Sequence, residues 1–190
     1  MIPSPAEIAY GIYGAWRLAR LDASGMEVFD RTVAGFWKSF FAAVLVAPAY
    51  LAMVLIELGG MTVTAGPLAI FIVQSLIYVI VWVAYPLIMY YLTEQIGRSE
   101  KYIGFIVALN WASVIQMLVF LPVVFFNAVE VLPGALLGLA TLVIFLAVLF
   151  YQGFVTRTAL DISGPAAGAL VVFSFILQHV IERFGYSMIT

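Results

Sequence analysis

Five runs of apolar residues, each long enough to cross a lipid bilayer, dominate the sequence. A bilayer core of about 30 Å needs a helix of roughly 20 apolar residues, because a helix satisfies its own backbone hydrogen bonds in hydrocarbon. We place the spans at about residues 36–58, 66–92, 102–126, 132–155 and 164–184. The pattern predicts an all-α fold, a polytopic transmembrane bundle of five spans.

Turn-forming residues separate the predicted spans. The breaks fall at Gly59-Gly60, at Gly97, between Asn127 and Pro133, and at residues 161–165. Each break is shorter than about ten residues, which is usual for connections between helices and too short for a soluble domain. We therefore divide the chain into a cytoplasmic N-terminal segment, residues 1–34, and a transmembrane five-helix bundle, residues 35–190.

The N-terminal segment has the pattern of a short amphipathic helix. Ile8, Ile12 and Trp16 recur at every fourth position, and Arg17 and Arg20 lie on other faces. The helix is too short and too polar to span the membrane. It either lies in the cytoplasmic interface, anchored by Trp16, Arg17 and Arg20, or packs on the cytoplasmic ends of its own bundle.

The composition excludes an ordinary water-soluble protein. Hydrophobic residues make up 65% of the 190 residues and charged residues 9%, whereas soluble domains carry about 25% charged residues. The net charge of −2 gives no basic field for nucleic acid. The chain has no cysteine, and therefore no disulfide and no thiolate metal site.

The distribution of Lys and Arg predicts the orientation, because basic residues next to spans are retained in the cytoplasm. A cytoplasmic N-terminus puts seven of the eight basic residues inside and only Arg183 outside. We therefore expect a multi-pass protein of the bacterial inner membrane with its N-terminus inside and its C-terminus outside. If the fifth apolar run is re-entrant, Arg183 returns to the cytoplasm, and this alternative stays open.

Polar side chains inside the predicted spans are the first candidates for function. Asn110, Ser113 and Gln116 lie three residues apart on one side of the third span, and Gln74 on the second span is close enough in depth to reach them. They either line a polar cavity for a small solute or form hydrogen bonds between helices. Because we expect no ionisable side chain near them, a proton-coupled mechanism has little support.

Small residues at a spacing of four mark two further spans. Gly134 and Gly138 lie on the fourth span, and Gly164 and Gly168 on the fifth. This spacing permits close approach of helix backbones, so we assign these glycines to packing within the bundle or to a dimer face.

The sequence shows no catalytic constellation. Paired-His zinc motifs, phosphate loops and cysteine nucleophiles are absent. His179 is the only histidine, so we expect no metal site and no cofactor. Asp161 is expected to pair with Arg157 and to cap the helix that begins at Gly164. We therefore do not expect an enzyme.

Three short motifs resemble a known family. These are Gly35-Phe36-Trp37-Lys38-Ser39-Phe40 after the N-terminal segment, Asn110-Trp111 in the third span, and Gly185-Tyr186-Ser187 near the end. With the five-span layout, the chain resembles Yip1-type membrane proteins and small uncharacterised bacterial membrane proteins of about this length. The resemblance implies a non-enzymatic protein that works through partners and membrane organisation.

Two hypotheses for function follow from the sequence. The first is a non-enzymatic integral membrane protein that acts as a scaffold, accessory subunit or assembly factor, with the lipid bilayer and other membrane proteins or a second copy as partners. The alternative is a small permease or channel, as a monomer or a dimer, that uses the region of Asn110. A water-accessible vestibule beside Asn110 would favour the permease, and a dry interior would favour the scaffold.

Overall fold

The computed structural model describes residues 2–129 and 133–189. This part of the chain is helical and contains no strand. Seven α-helices follow one another: α1 Pro5–Ala19, α2 Val33–Ser39, α3 Phe41–Gly59, α4 Pro67–Gln95, α5 Tyr102–Ala128, α6 Gly134–Leu160 and α7 Gly164–Tyr186. Short 3₁₀ turns at Ala23–Glu27 and Ser99–Lys101 lie in two of the connections.

Five helical segments are long and apolar enough to cross a membrane, which confirms the predicted transmembrane bundle. They are α2 with α3, then α4, α5, α6 and α7. The fifth, Gly164–Tyr186, is one unbroken helix of 23 residues, so the re-entrant alternative is wrong. The predicted start of the fourth span at Leu132 lies outside the described residues, within which α6 begins at Gly134.

Helix α5 is the central element of the bundle. The apolar window of α5 is 56% buried, whereas the other four windows are between 11% and 22% buried. Helices α1, α2, α3 and α6 all pack against α5, α7 packs against α6, and α4 packs against α7. Helices α3 and α4 meet through Tyr50 and Tyr78, whose ring centroids are 4.6 Å apart. The outer faces of α3, α4, α6 and α7 are left to the lipid.

The N-terminal helix packs on its own bundle and shares one apolar core with it. Ala15 and Leu18 are fully buried in the same cluster as Trp111 of α5. The Tyr151 hydroxyl on α6 donates a 2.8 Å hydrogen bond to the Ala15 carbonyl. Gly11 permits this approach, because a Cβ there would lie 2.3 Å from the Trp111 ring. The buried stripe therefore runs through small residues that the apolar periodicity did not mark.

A charge pair ties α1 to the first span. The Lys38 ammonium donates to the Glu7 carboxylate, and this hydrogen bond, followed by those from Ser4, lowers the pKa of Glu7 to about 2. Ser4 also caps α1, since its hydroxyl accepts from the Glu7 N–H. The start of α1 is therefore fixed both by its own cap and by α2.

The connection between α6 and α7 differs from the expected one. Asp161 ends α6 in the left-handed conformation with φ 53°, and its carbonyl accepts from the Arg98 guanidinium at 3.1 Å. Ser163 caps α7 by accepting from the Ala166 N–H. Ion pairs in the described residues join Arg17 to Asp22 and Lys38 to Glu7 only. The predicted cap by Asp161 and its pair with Arg157 are therefore wrong, because Ser163 already occupies the position that accepts the first N–H groups of α7.

Candidate functional site: a cavity between the five spans

A cavity of about 580 Å³ lies between α3, α4, α5, α6 and α7. Its lining on α5 runs from Ile106 to Phe120, a rise of about 21 Å at 1.5 Å per residue. The cavity therefore extends over roughly two thirds of a 30 Å hydrocarbon core. Its volume falls in the range of about 300–1,000 Å³ that is usual for small-molecule sites.

The polar stripe on α5 faces this cavity. Asn110, Ser113 and Gln116 all line it. Asn110 also joins two helices, since its amide nitrogen donates to the Ser39 hydroxyl at 2.9 Å, and Ser39 donates to the Phe36 carbonyl at 2.7 Å. The stripe therefore lines a cavity, and its Asn110 also forms a hydrogen bond between α5 and α2; that the cavity takes a small solute stays a prediction.

Gln74 belongs to a hydrogen bond between helices rather than to the lining. It is only 6% exposed, and its amide oxygen accepts from the Tyr50 hydroxyl at 3.2 Å. Tyr50 does line the cavity, so Gln74 positions a lining residue through this hydrogen bond.

Helices α6 and α7 contribute polar residues that the sequence reasoning missed. The Gln152 amide on α6 donates to the Ser174 hydroxyl on α7 at 3.0 Å, and both side chains line the cavity. In the sequence, the only indication of Gln152 and Ser174 was that each is a polar residue, one amide and one hydroxyl, within a long apolar run. Tyr85 of α4 also lines the cavity, and its buried hydroxyl has no hydrogen-bond partner among the described residues.

Two carboxylates lie at the end of the cavity that is farthest from the N-terminal segment. Glu57 near the end of α3 accepts from the Tyr186 hydroxyl at 2.7 Å, and Glu182 of α7 accepts from the Gln178 amide at 2.8 Å. All four residues line the same cavity as Asn110. The expectation that no ionisable side chain lies near the polar stripe is therefore wrong, because residues distant in sequence converge there.

The two ends of the cavity differ in exposure. Glu57 and Gln178 are exposed at the carboxylate end. Beyond Asn110, the opposite end meets a stretch of α5 from Phe105 to Ala108 that is almost completely buried, and α1 packs outside this stretch. The cavity is therefore closed on the side of the N-terminal segment by the main apolar core.

The four predicted packing glycines have no neighbour among the described residues. A Cβ added at Gly134, Gly138, Gly164 or Gly168 would meet nothing within 4 Å. All four are exposed on the outside of the bundle. Packing within the bundle is therefore wrong for these positions, since α6 and α7 meet through other faces, and the dimer face stays a prediction.

The predicted interfacial anchor is divided between two tasks. Trp16 is 52% exposed and Arg20 is exposed, so both are free to contact a membrane surface. The Arg17 guanidinium instead binds the Asp22 carboxylate at 2.7 Å and the Ser24 hydroxyl. The Ser24 hydroxyl, which donates to the Asp22 carboxylate, and after it the Arg17 guanidinium lower the pKa of Asp22, and Arg17 thus holds the turn after α1.

Metal coordination has no support in the described ranges. They contain no group of three or more His, Asp or Glu side chains placed to hold an ion, and His179 is exposed and does not line the cavity. The site therefore offers amides, hydroxyls, aromatic rings and two carboxylates. No family model, curated protein or solved structure matches the chain, and the resemblance to Yip1-type proteins stays a prediction.

Proposed function

We propose that this protein is a small permease that binds a solute in the cavity between its five spans. The observation that carries the proposal is the convergence of polar side chains from separate helices on one cavity beside Asn110. A bundle whose polar residues only joined helices would pair each of them with a polar group of another helix. The Gln116 side chain instead lines the cavity.

The chemistry of the lining favours a water-filled cavity. A water molecule needs only about 10–15 Å³ of accessible volume and two to four polar partners. The cavity of about 580 Å³ has room for several, and the Gln116 amide and the carboxylates of Glu57 and Glu182 are among the polar groups of its lining. Water or a polar solute therefore fits the polar part of the cavity, beside an apolar wall.

The predicted topology gives the cavity a direction. With the N-terminus in the cytoplasm of a bacterial cell, the carboxylate end opens to the outside. The buried part of α5 and the packed α1 then close the cytoplasmic side. This arrangement corresponds to an outward-facing state of a carrier. The Asn110–Ser39 hydrogen bond lies towards the closed end of the cavity, close to Phe40, where α2 ends and α3 begins.

One observation favours the scaffold or accessory subunit as a second candidate. The exposed glycine faces of α6 and α7 are unused within the chain, and such faces suit close packing against another transmembrane helix. A permease that forms a dimer uses the same faces, so the two candidates differ only in whether the cavity admits a solute.

Cysteine accessibility tests the cavity directly, because the natural chain contains no cysteine. We expect Ser113→Cys and Ser174→Cys to react with a membrane-impermeant methanethiosulfonate applied from outside the cell. Ser39→Cys is the matched control, since Ser39 is fully buried, and it should not react. Absence of labelling at both cavity positions, with folded protein present, would contradict the proposal.

Uptake separates the permease from the scaffold. In proteoliposomes, Gln116→Leu should reduce the uptake of a transported solute, since it removes an amide from the cavity wall. Ser187→Ala is a suitable control, because Ser187 is exposed and lies outside the lining. If the natural chain takes up none of a broad panel of radiolabelled small solutes, that result favours the scaffold.

A further inference from the structure

The formal charges of the cavity are all negative. Glu57 and Glu182 are in the lining, and none of the chain's eight basic residues is. The nearest in sequence, Arg183, is exposed on α7 and is not part of the lining. An anion entering the cavity would therefore find no positive partner, whereas a cation would find two carboxylates.

Neither carboxylate forms an ion pair among the described residues, and His179, one turn before Glu182 on α7, is the basic side chain that interacts with the charge of Glu182. The hydrogen-bond donors to Glu57 and Glu182 are the uncharged Tyr186 and Gln178. The ion pairs in the described ranges involve other residues, all of the N-terminal segment and α2. A carboxylate within a membrane protein without a positive partner is costly. Binding of a cation removes that cost, so the cavity selects for positive charge.

Aromatic rings line the cavity deeper than these carboxylates. Tyr50 lies two turns before Glu57 on α3, about 10 Å along the helix axis, and both side chains line the cavity. Its ring contacts that of Tyr78, which lies 6.2 Å from the ring of Trp82. Aromatic faces attract cations, and organic cations more than hydrated metal ions. The same rings offer apolar area to the body of a ligand.

We propose that the solute is an organic cation, a quaternary or protonated centre carried on an apolar or aromatic body. The carboxylates at the mouth attract the charge, and the rings of Tyr50, Tyr78 and Trp82, farther in, hold the body beside the amides of the lining. This inference rests on the proposed function, since it names the class of solute that enters the same cavity.

The test uses two probes of the same shape and opposite charge. The purified full-length chain in nanodiscs of zwitterionic lipid is titrated with tritiated tetraphenylphosphonium and, separately, with tetraphenylborate. We expect saturable binding of the cation and none of the anion. In the double variant Glu57→Gln with Glu182→Gln, the affinity for the cation should fall at least about tenfold.

A matched control changes the same net charge elsewhere. Glu94→Gln with Glu100→Gln removes two exposed carboxylates, one in the last turn of α4 and one in the α4–α5 connection, and this variant should bind the cation as the natural chain does. Labelling of Ser113→Cys in the background of each double variant verifies that the cavity is intact.

The outcomes separate this inference from the function on which it rests. Three outcomes overturn the inference that the solute is an organic cation. They are no binding of the cation, equal binding of both probes, and an unchanged affinity in the Glu57 and Glu182 double variant. If labelling of Ser113→Cys and an effect of Gln116→Leu on uptake persist in those cases, the permease stands with another solute. If Ser113→Cys and Ser174→Cys are also unreactive, both proposals fail.

Discussion

Replacing Gly11 by alanine tests the packing of the N-terminal helix against the bundle. The added methyl would lie 2.3 and 2.4 Å from two carbons of the Trp111 indole, at least about 1 Å closer than ordinary carbon contact. Trp111 is 5% exposed, and a cavity of about 160 Å³ lies beside it and Gly11. We therefore expect Gly11→Ala to displace α1 or the indole.

The magnitude follows from two opposing effects. Overpacking of a filled core costs about 1–3 kcal/mol, whereas alanine in place of glycine inside a helix stabilises it by about 1 kcal/mol. Gly138→Ala in α6 is the matched control, because its methyl would meet nothing within 4 Å. The free energy of unfolding of the two variants should therefore differ by about 1–3 kcal/mol, the size of the clash alone.

Two measurements on the same samples check this prediction. Unfolding in mixed micelles with increasing dodecyl sulfate, followed by tryptophan fluorescence, gives the free energy of unfolding. Limited trypsin digestion after the exposed Arg20 should be faster in Gly11→Ala than in Gly138→Ala. Equal stability and equal digestion of the two variants would refute the packing of α1 on Trp111, and α1 would then be a free interfacial helix.

Three further predictions concern α1 and the outer faces. Tyr151→Phe removes the buried hydrogen bond to Ala15 and should lower the free energy of unfolding by about 0.5–1.5 kcal/mol. The pKa of Glu7 is about 2 in the folded protein, against an ordinary 4.5. The stability that the Glu7 carboxylate contributes is therefore complete above about pH 4.5 and declines as the pH falls towards 2. The protection of α1 from hydrogen exchange should weaken over that range of pH. If the glycine faces form a dimer, Gly168→Leu should shift the protein to monomers in sedimentation experiments.

Each of these has its own control. Tyr10→Phe changes an exposed tyrosine and should leave stability unchanged, so an equal loss in both tyrosine variants would argue against the bond to Ala15. In Glu7→Gln, the acid-dependent weakening should be reduced relative to the natural chain, and an identical pH profile would contradict the role of Glu7. A dimer that survives Gly168→Leu must use another face.

The sequence by itself determined that this chain folds in a lipid bilayer and how many spans it has. Apolar runs of about 20 residues have few alternatives to membrane helices, because hydrocarbon leaves no other partner for backbone N–H and C=O groups. The three-residue spacing of Asn110, Ser113 and Gln116 likewise fixed their common side, since it depends only on helix geometry. These features are local, and the structure agrees with the sequence on them.

Only the tertiary structure decided which faces meet. Glu57 and Glu182 are 125 positions apart in the chain and converge on the cavity of Asn110 because α3 and α7 both border it. Gly138 has the spacing of a packing residue yet faces outward, while Gly11, four residues before the buried Ala15, receives the Trp111 ring. In a bilayer every face of an apolar helix is equally soluble, so hydrophobicity does not choose between neighbours, and close steric fit makes that choice.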